Sequence, residues 1–308
     1  MNGEPKVLIV GAGSTGLVMA HELARDGIAC RVVDKSPHRA MESRAIAIHA
    51  RTVETLELMG LAEDFPGAGH RINGISIYGE SGRIAHAGFG ALNTRYPFVL
   101  GVPQDETEQI LEEHLTRHGV RVECNTELIA VAQRDSGVSA RLRAGNRIED
   151  IEADWLLGCD GAHSTVREQL AIAFLGSTYP EHFVLADIVV GGSLDHADAQ
   201  VWLHREGALA FFPLPDDRWR LIITNSPADW QGEPSLTQCQ ALVDERGPGG
   251  LRLADLRWSA VFRIHRREAA RFRNGRVFLL GDAAHIHSPV GGQGMNMAFR
   301  TRSISPGS

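Results

Sequence analysis

The sequence predicts an α/β fold in which a β-α-β domain is assembled from separated stretches of chain and a second, sheet-rich domain is inserted among them. Three observations carry this. Strands alternate with helices towards both ends, a long central region alternates apolar and polar residues between glycine and proline turns, and 308 residues exceed what one hydrophobic core usually organises.

The elements follow in order. KVLIV (6–10) is a short β-branched run, and STGLVMAHELARDG after it has helically spaced apolar positions with Gly27 as a stop. ACRVVDK (29–35) is the second strand of a β-α-β unit. RTVETLELM (51–59) has helical spacing, whereas RINGISIYGESGRIAHAGFG (71–90) alternates like antiparallel strands. PQDETEQILEEHLTRHG (103–119) is an amphipathic helix with its acids early, where the helix dipole favours them. Strands return with a hairpin around Asp135 to Gly137, and DWLLGCDGAHSTVREQL is a buried strand running into a helix. From about Ala173 to Asn274 the pattern is sheet with one helix, Leu236 to Arg246.

Composition narrows the function. With 38 acidic against 31 basic residues, interspersed, the net charge of −7 argues against a nucleic-acid surface. MNGEPKVLIV leads straight into a strand and reads as no signal peptide, and no apolar run is long enough to span a bilayer. Cys30, Cys124, Cys159 and Cys239 form no C-x-x-C pair, so neither a zinc site nor a redox dithiol is indicated. A cytoplasmic enzyme with reduced thiols is the expectation.

VGAGSTG places Gly11, Gly13 and Gly16 in G-x-G-x-x-G spacing between a strand and a helix. Gly11 serves a tight turn, Gly13 lets backbone approach a pyrophosphate, and Gly16 permits close helix packing. Backbone N–H groups from Ser14 through Thr15 to Gly16, with the positive end of the helix dipole, suit phosphate. Asp34 ends the second strand, where an acid hydrogen-bonds a ribose 2′-hydroxyl. This predicts an ADP-containing cofactor, NAD or FAD.

Two further stretches bear on that choice: LLGCDGAHSTVRE (156–168) and GRVFLLGDAAHIHSPVGGQGMN (275–296). With GAGSTG they resemble the three fingerprints of the single-component FAD-dependent aromatic hydroxylases, typified by p-hydroxybenzoate hydroxylase and nearest the hydroxyphenylpropionate and polyketide hydroxylase branch. The resemblance covers about Val7 to Asn296. It implies an FAD-binding Rossmann-like domain in segments 1–70, 98–172 and 275–308, with 71–97 and 173–274 forming a sheet-rich substrate domain. By the same resemblance Asp34 and Lys35 lie at the adenosine end, Arg44 and Gln104 contact FAD, and Asp160 and Gly161 hold the pyrophosphate region. Asp282 accepts from the ribityl chain. The loop with Gly292, Gly294, Met295 and Asn296 points backbone N–H groups at the pyrimidine edge of the flavin, where negative charge accumulates on reduction. Pro289 stands near the reactive flavin carbons, and the strand with Phe211, Phe212 and Pro213 lines an aromatic-substrate pocket.

The implied activity is hydroxylation of an aromatic, phenolic substrate by dioxygen through a flavin C4a-hydroperoxide, with NADPH or NADH as transient co-substrate because only one G-x-G-x-x-G unit is present. No base for the phenol is assigned, and the oligomeric state stays open, a homodimer among the options. His285 and His287 invite a metal, but His-x-His lacks a third ligand nearby, so structural histidines are expected. The basic run from Arg263 to Arg276 is either a solvated face or an attractor of NAD(P)H phosphates. No G-x-S-x-G elbow supports a hydrolase, and the W-x-W-x-I-P stretch of flavin halogenases is absent. After G-M-N the family continues with an Asp-Ala pair on a helix; here Thr301 and Arg302 stand there, followed by polar sequence. That reads as a truncated C-terminus with weak FAD binding. The alternatives are a flavin-binding remnant without efficient turnover or a flavin reductase of the same fold.

Overall fold

A computed structural model describes residues 5–39, 45–230, 232–288 and 291–300. In chain order, β1 (Val7–Val10), α1 (Ser14–Arg25) and β2 (Cys30–Val33) come first. Next are β3 (Ala47–Ile48), α2 (Ala50–Met59), α3 (Phe65–Ala68), β4 (His70–Ile72), β5 (Gly74–Gly79), β6 (Gly82–Gly88) and β7 (Val99–Gly101). They are followed by α4 (Gln104–Arg117), β8 (Val122–Glu123), β9 (Thr126–Gln133), β10 (Val138–Ala144), β11 (Arg147–Ala153), β12 (Trp155–Gly158) and α5 (Thr165–Gln169). Then come β13 (Phe174–Gly191), β14 (Asp198–Trp202), β15 (Leu209–Pro213), β16 (Arg218–Thr224), α6 (Leu236–Arg246) and β17 (Arg252–Ala269). The last described segment holds β18 (Arg273–Asn274), β19 (Val277–Leu279), β20 (His285–Ile286) and α7 (Gln293–Arg300). None of the described helices is long and apolar enough to cross a membrane.

The chain divides into two compact units, one of residues 1–43, 104–177 and 265–308, the other of 44–103 and 178–264. In the first, a six-stranded sheet has the order β18-β19-β12-β1-β2-β8, parallel from β19 to β8. Its central strand β1 is buried on both faces, as parallel sheets covered by helices require. The chain leaves β1 through the glycine turn into α1, which ends at Asp26 and Gly27, the latter at φ +71°. α1 packs on α4 and α7. An antiparallel sheet β11-β10-β9 carries the expected hairpin through Asp135–Gly137. One apolar core joins Leu8, Val10 and Val33 to Leu142, Leu156 and Val277.

In the second unit, β17, β13, β16, β15, β14, β5 and β6 form a sheet in that order. Antiparallel pairing sets Val184 opposite Ile223 and Phe211 opposite Leu221, so these residues share a face. That face, with Trp202 and Trp219, packs around Leu242 and Val243 of α6. α6 begins with a capping box between Ser235 and Gln238. On the other face Arg220 and Asp187 form a buried ion pair, and Trp258 Nε1 donates to Asp187 Oδ2 at 2.9 Å.

Residues 44–70, expected with the first segment, belong to the second unit. β3 and β4 both pair with β7, Ala47 and His70 each standing opposite Gly101, and this small sheet ties them to 99–101. β13 and β17 each run through a division between units, so the expected limits at 172 and 274 shift to 177 and 264.

Candidate functional site

The first unit gathers the glycine turn, the end of β2, the start of α4 and the loops after β12 and β19. Gly11 adopts φ +102°, and a Cβ there would stand 2.3 Å from the carbonyl oxygen of Cys159. A Cβ on Gly16 would stand 1.9 Å from the Gly11 carbonyl oxygen. Both positions therefore exclude any side chain. Gly13 differs, because its Cβ would meet nothing closer than Glu108 Oε1 at 3.8 Å. Gly11 and Gly16 are thus held by backbone contact, while the side of Gly13 is open.

Asp34 is half-buried and holds the turn from β2. Its Oδ2 accepts from the Ala12 amide at 2.7 Å and its Oδ1 from the Ser36 amide at 2.8 Å. Lys35 beside it is exposed. Gln104 opens α4 and donates to Glu108 Oε1 at 2.8 Å. The same oxygen accepts from the Ser14 amide at 3.0 Å and the Ser14 hydroxyl at 2.9 Å. Burial pushes Glu108 above the usual carboxylate range, against hydrogen bonds from Gln104 and Ser14 and the attraction of Arg39. Glu108 was not read from the sequence; its only signal there is an acid four residues after Gln104, on the same helix face.

Asp160 and Gly161 follow β12, with Gly161 at φ +79°. Asp160 Oδ2 accepts from the Val166 amide at 3.0 Å and so, with Ser164, caps α5. Its Oδ1 is buried without a hydrogen-bond partner, and burial raises its pKa above the ordinary aspartate value, partly offset by hydrogen bonds. Arg167, also unread from the sequence, is buried and donates to Ala162 O at 2.8 Å and to Ala283 O at 3.0 Å. It thereby fastens the loop after β12 to the single turn Gly281–Ala283 after β19.

Asp282 is exposed on that turn. Gly281 sits at φ +58°, where a Cβ would come 2.4 Å from Thr15 Oγ1, so the third motif closes on the first. Gly291 and Gly292 take positive φ before α7. Gly294, Met295 and Asn296 form its first turn; Gly294 is exposed, and Asn296 Nδ2 donates to Gly292 O at 2.6 Å. Arg44, Pro289, Thr301 and Arg302 lie outside the described residues.

Phe211 and Pro213 need a correction. Phe211 is 0% exposed and meets Trp202 and Trp219 edge-on in the core beneath α6, leaving no surface for a ligand. Pro213 is buried on the same face, while Phe212, one residue out of phase, is half-buried on the other. The histidines His285 and His287 stack at 5.9 Å, and no cluster of three metal-ligating side chains occurs among the described residues. Within the basic run, Arg273 and Arg276 lie over Trp155, whereas Arg266 and Arg267 are exposed.

Comparison with known proteins places these loops in context. The model of the FAD binding domain family matches residues 4–301. The chain is 36% identical over 300 residues to 6-methylpretetramide 4-monooxygenase of Streptomyces rimosus, covering 96% of this chain and 54% of that protein. It is 34% identical over 319 residues to pentachlorophenol 4-monooxygenase of Sphingobium chlorophenolicum, covering 97% and 57%. It thus spans little more than half the length of these relatives. Among solved structures, p-nitrophenol 4-monooxygenase of Pseudomonas putida aligns with a TM-score of 0.82 at 27% identity, covering 97% of this chain and 78% of that one. Aklavinone-11 hydroxylase, in a ternary complex with FAD and aklavinone, aligns with a TM-score of 0.80 at 29% identity, covering 97% and 61%.

Proposed function

Because the chain belongs to the FAD binding domain family, we propose that its first unit holds FAD and that the protein acts as an FAD-dependent monooxygenase on an aromatic, phenolic substrate. The observation that carries this is the convergence of three loops in one unit, with Thr15 against Gly281 and Arg167 bridging Ala162 to Ala283. The residues fit the cofactor. Gly13 leaves space for a pyrophosphate, Asp160 offers a buried oxygen without a partner, and Gly294 is exposed at the start of α7.

In this reading the turn from Gly11 to Gly16, with Ser14 and Thr15, binds the pyrophosphate, and Asp34 with Lys35 marks the adenosine end. Asp282 orients the ribityl chain and Gln104 contacts FAD, while Asp160 and Gly161 hold the loop beside the phosphates. Backbone donors of Gly292, Gly294, Met295 and Asn296 stabilise negative charge on the pyrimidine edge of the ring. Arg44 and Pro289 are carried as FAD-contacting and ring-facing positions. When bound, FAD would supply the redox chemistry, with two electrons from NADPH or NADH, one oxygen atom of dioxygen placed on the substrate ring and the other leaving as water.

The second unit supplies the substrate surface. The sheet face opposite Phe211, carrying Phe212, Phe183, Trp258 and Phe262, is the candidate, since Phe183 and Phe262 approach at 5.5 Å and all four are half-buried rather than core. Two of the proteins named above act on phenols, pentachlorophenol and p-nitrophenol, which suits such a face. Cytoplasmic location accompanies a nicotinamide-dependent reaction.

The experiment is direct. The purified protein is examined for a flavin spectrum, then mixed with NADPH or NADH, labelled dioxygen and phenolic candidates. Hydroxylated product carrying the label is the expected result. NAD(P)H consumption without label in any product would favour a flavin reductase, and a colourless protein that FAD cannot reconstitute would overturn the reading.

A further inference from the structure

The phosphate loop has an anion of its own at its open side. Glu108 is 4% exposed, and its Oε1 gathers three donors, the Ser14 amide, the Ser14 hydroxyl and the Gln104 amide. That oxygen is also the nearest atom to where a Cβ on Gly13 would stand, at 3.8 Å. Gly13 is the one glycine of the three with room beside it. A pyrophosphate approaching the backbone there comes close to an ionised carboxylate in a site shielded from water, and two anions so placed each disfavour the other's charge.

We infer that Glu108 takes up a proton from solvent when a pyrophosphate settles on the α1 turn, so that this residue links cofactor affinity to pH. The inference rests on the reading of the first unit as an FAD site.

The charges around Glu108 leave it as the group that responds. From the segment after β2, Arg39 attracts Glu108 but also pairs with Glu112, one turn further along α4. Asp105, on the preceding turn of α4, is buried. Asp34 is engaged by the Ala12 and Ser36 amides. The first turn of α1 presents Ser14 and no acid, and α7 carries no acid. Asp160, after β12, already serves the Val166 amide. Burial raises Glu108 from the ordinary glutamate range before any ligand arrives. Once protonated on Oε2, it keeps Oε1 as a carbonyl acceptor for the Ser14 and Gln104 donors and no longer sets a full negative charge against the phosphate.

The test uses the full chain without cofactor. FAD is titrated between about pH 5.5 and pH 8.5 with tryptophan fluorescence as readout, and calorimetry in two buffers of different ionisation heat counts protons. Wild type is expected to take up protons on binding, its Kd weakening by up to ~10-fold per pH unit across the linked window. Glu108→Gln, which keeps an acceptor for Ser14, is expected to lose both effects and to bind FAD more tightly than wild type at the alkaline end. Tight, pH-independent binding by wild type without proton uptake overturns the inference and leaves the FAD site standing. No binding of FAD at any pH overturns both. Should Glu108→Gln fail to fold, wild type is compared with ADP-ribose, whose pyrophosphate diester does not titrate, and with adenosine. Uptake with ADP-ribose alone supports the inference, and equal counts overturn it.

Discussion

The guanidinium of Arg167 donates to the carbonyl oxygen of Ala283 at 3.0 Å, joining two loops 116 residues apart in sequence. Its other terminal nitrogen reaches Ala162 O at 2.8 Å, and its plane lies 3.9 Å over the ring of Phe174. Replacing it with alanine strands the buried carbonyl of Ala283, at about 1–3 kcal/mol, and the half-buried one of Ala162, at less. Arg167→Ala is expected to lower the melting temperature and weaken FAD binding by at least tenfold, with Arg167→Lys between it and wild type. Unchanged affinity in a fluorescence titration would remove Arg167 from the site.

Gly13 and Gly16 separate binding from folding. Gly16→Ala forces a methyl to 1.9 Å from the Gly11 carbonyl, so α1 must shift, and a loss of roughly 2–4 kcal/mol is expected in chemical denaturation. Gly13→Ala meets only Glu108 Oε1, at 3.8 Å. It is expected to melt close to wild type yet fail to bind FAD, because the methyl occupies the approach path.

Asp160 makes stability depend on pH. Burial raises its pKa in the folded chain above the unfolded value, so its stabilising contribution is full only below the unfolded value, about 3.9, and is lost as pH rises through the folded one. At neutral pH the ionised group therefore destabilises the cofactor-free protein. Asp160→Asn, able to accept from Val166 still, is expected to be more stable than wild type at pH 7, with the difference vanishing below about pH 4. Thermal melts at several pH values read it directly; a lower melting temperature for the variant at neutral pH would contradict the assignment.

Arg220 and Asp187 anchor the second unit. Arg220 is 0% exposed and lies 4.9 Å from the Trp258 ring. Asp187→Ala leaves a guanidinium buried without its countercharge, at about 3–5 kcal/mol, whereas Asp187→Leu combined with Arg220→Met should recover much of that loss. Urea denaturation followed by tryptophan fluorescence distinguishes the two.

What could be read in advance depended on whether the signal was local. The limits of α6 follow from its own residues: Ser235 and Gln238 start it, and Gly247 ends it. The glycine turn and Asp34 are equally local, since strand, turn, helix and strand are consecutive. Glu108 could not be read because an acid early in a helix already suits the dipole; its burial comes from Ser14, 94 residues away. The face that Phe211 presents could not be read because LAFFP is apolar on both sides and carries no phase. The grouping of 44–70 with the second unit leaves no mark in the sequence because a two-residue strand such as β3 leaves no periodic trace.

The strand order of the first sheet has a consequence for synthesis. β1 emerges from the ribosome early and stands in mid-sheet, yet β12 beside it gains its outer neighbour β19 only after roughly 120 further residues, some 6–24 s at ordinary translation rates. During that interval the Leu156–Gly158 edge of β12 stands open, and a nascent chain stalled in this window is the form a chaperone would meet.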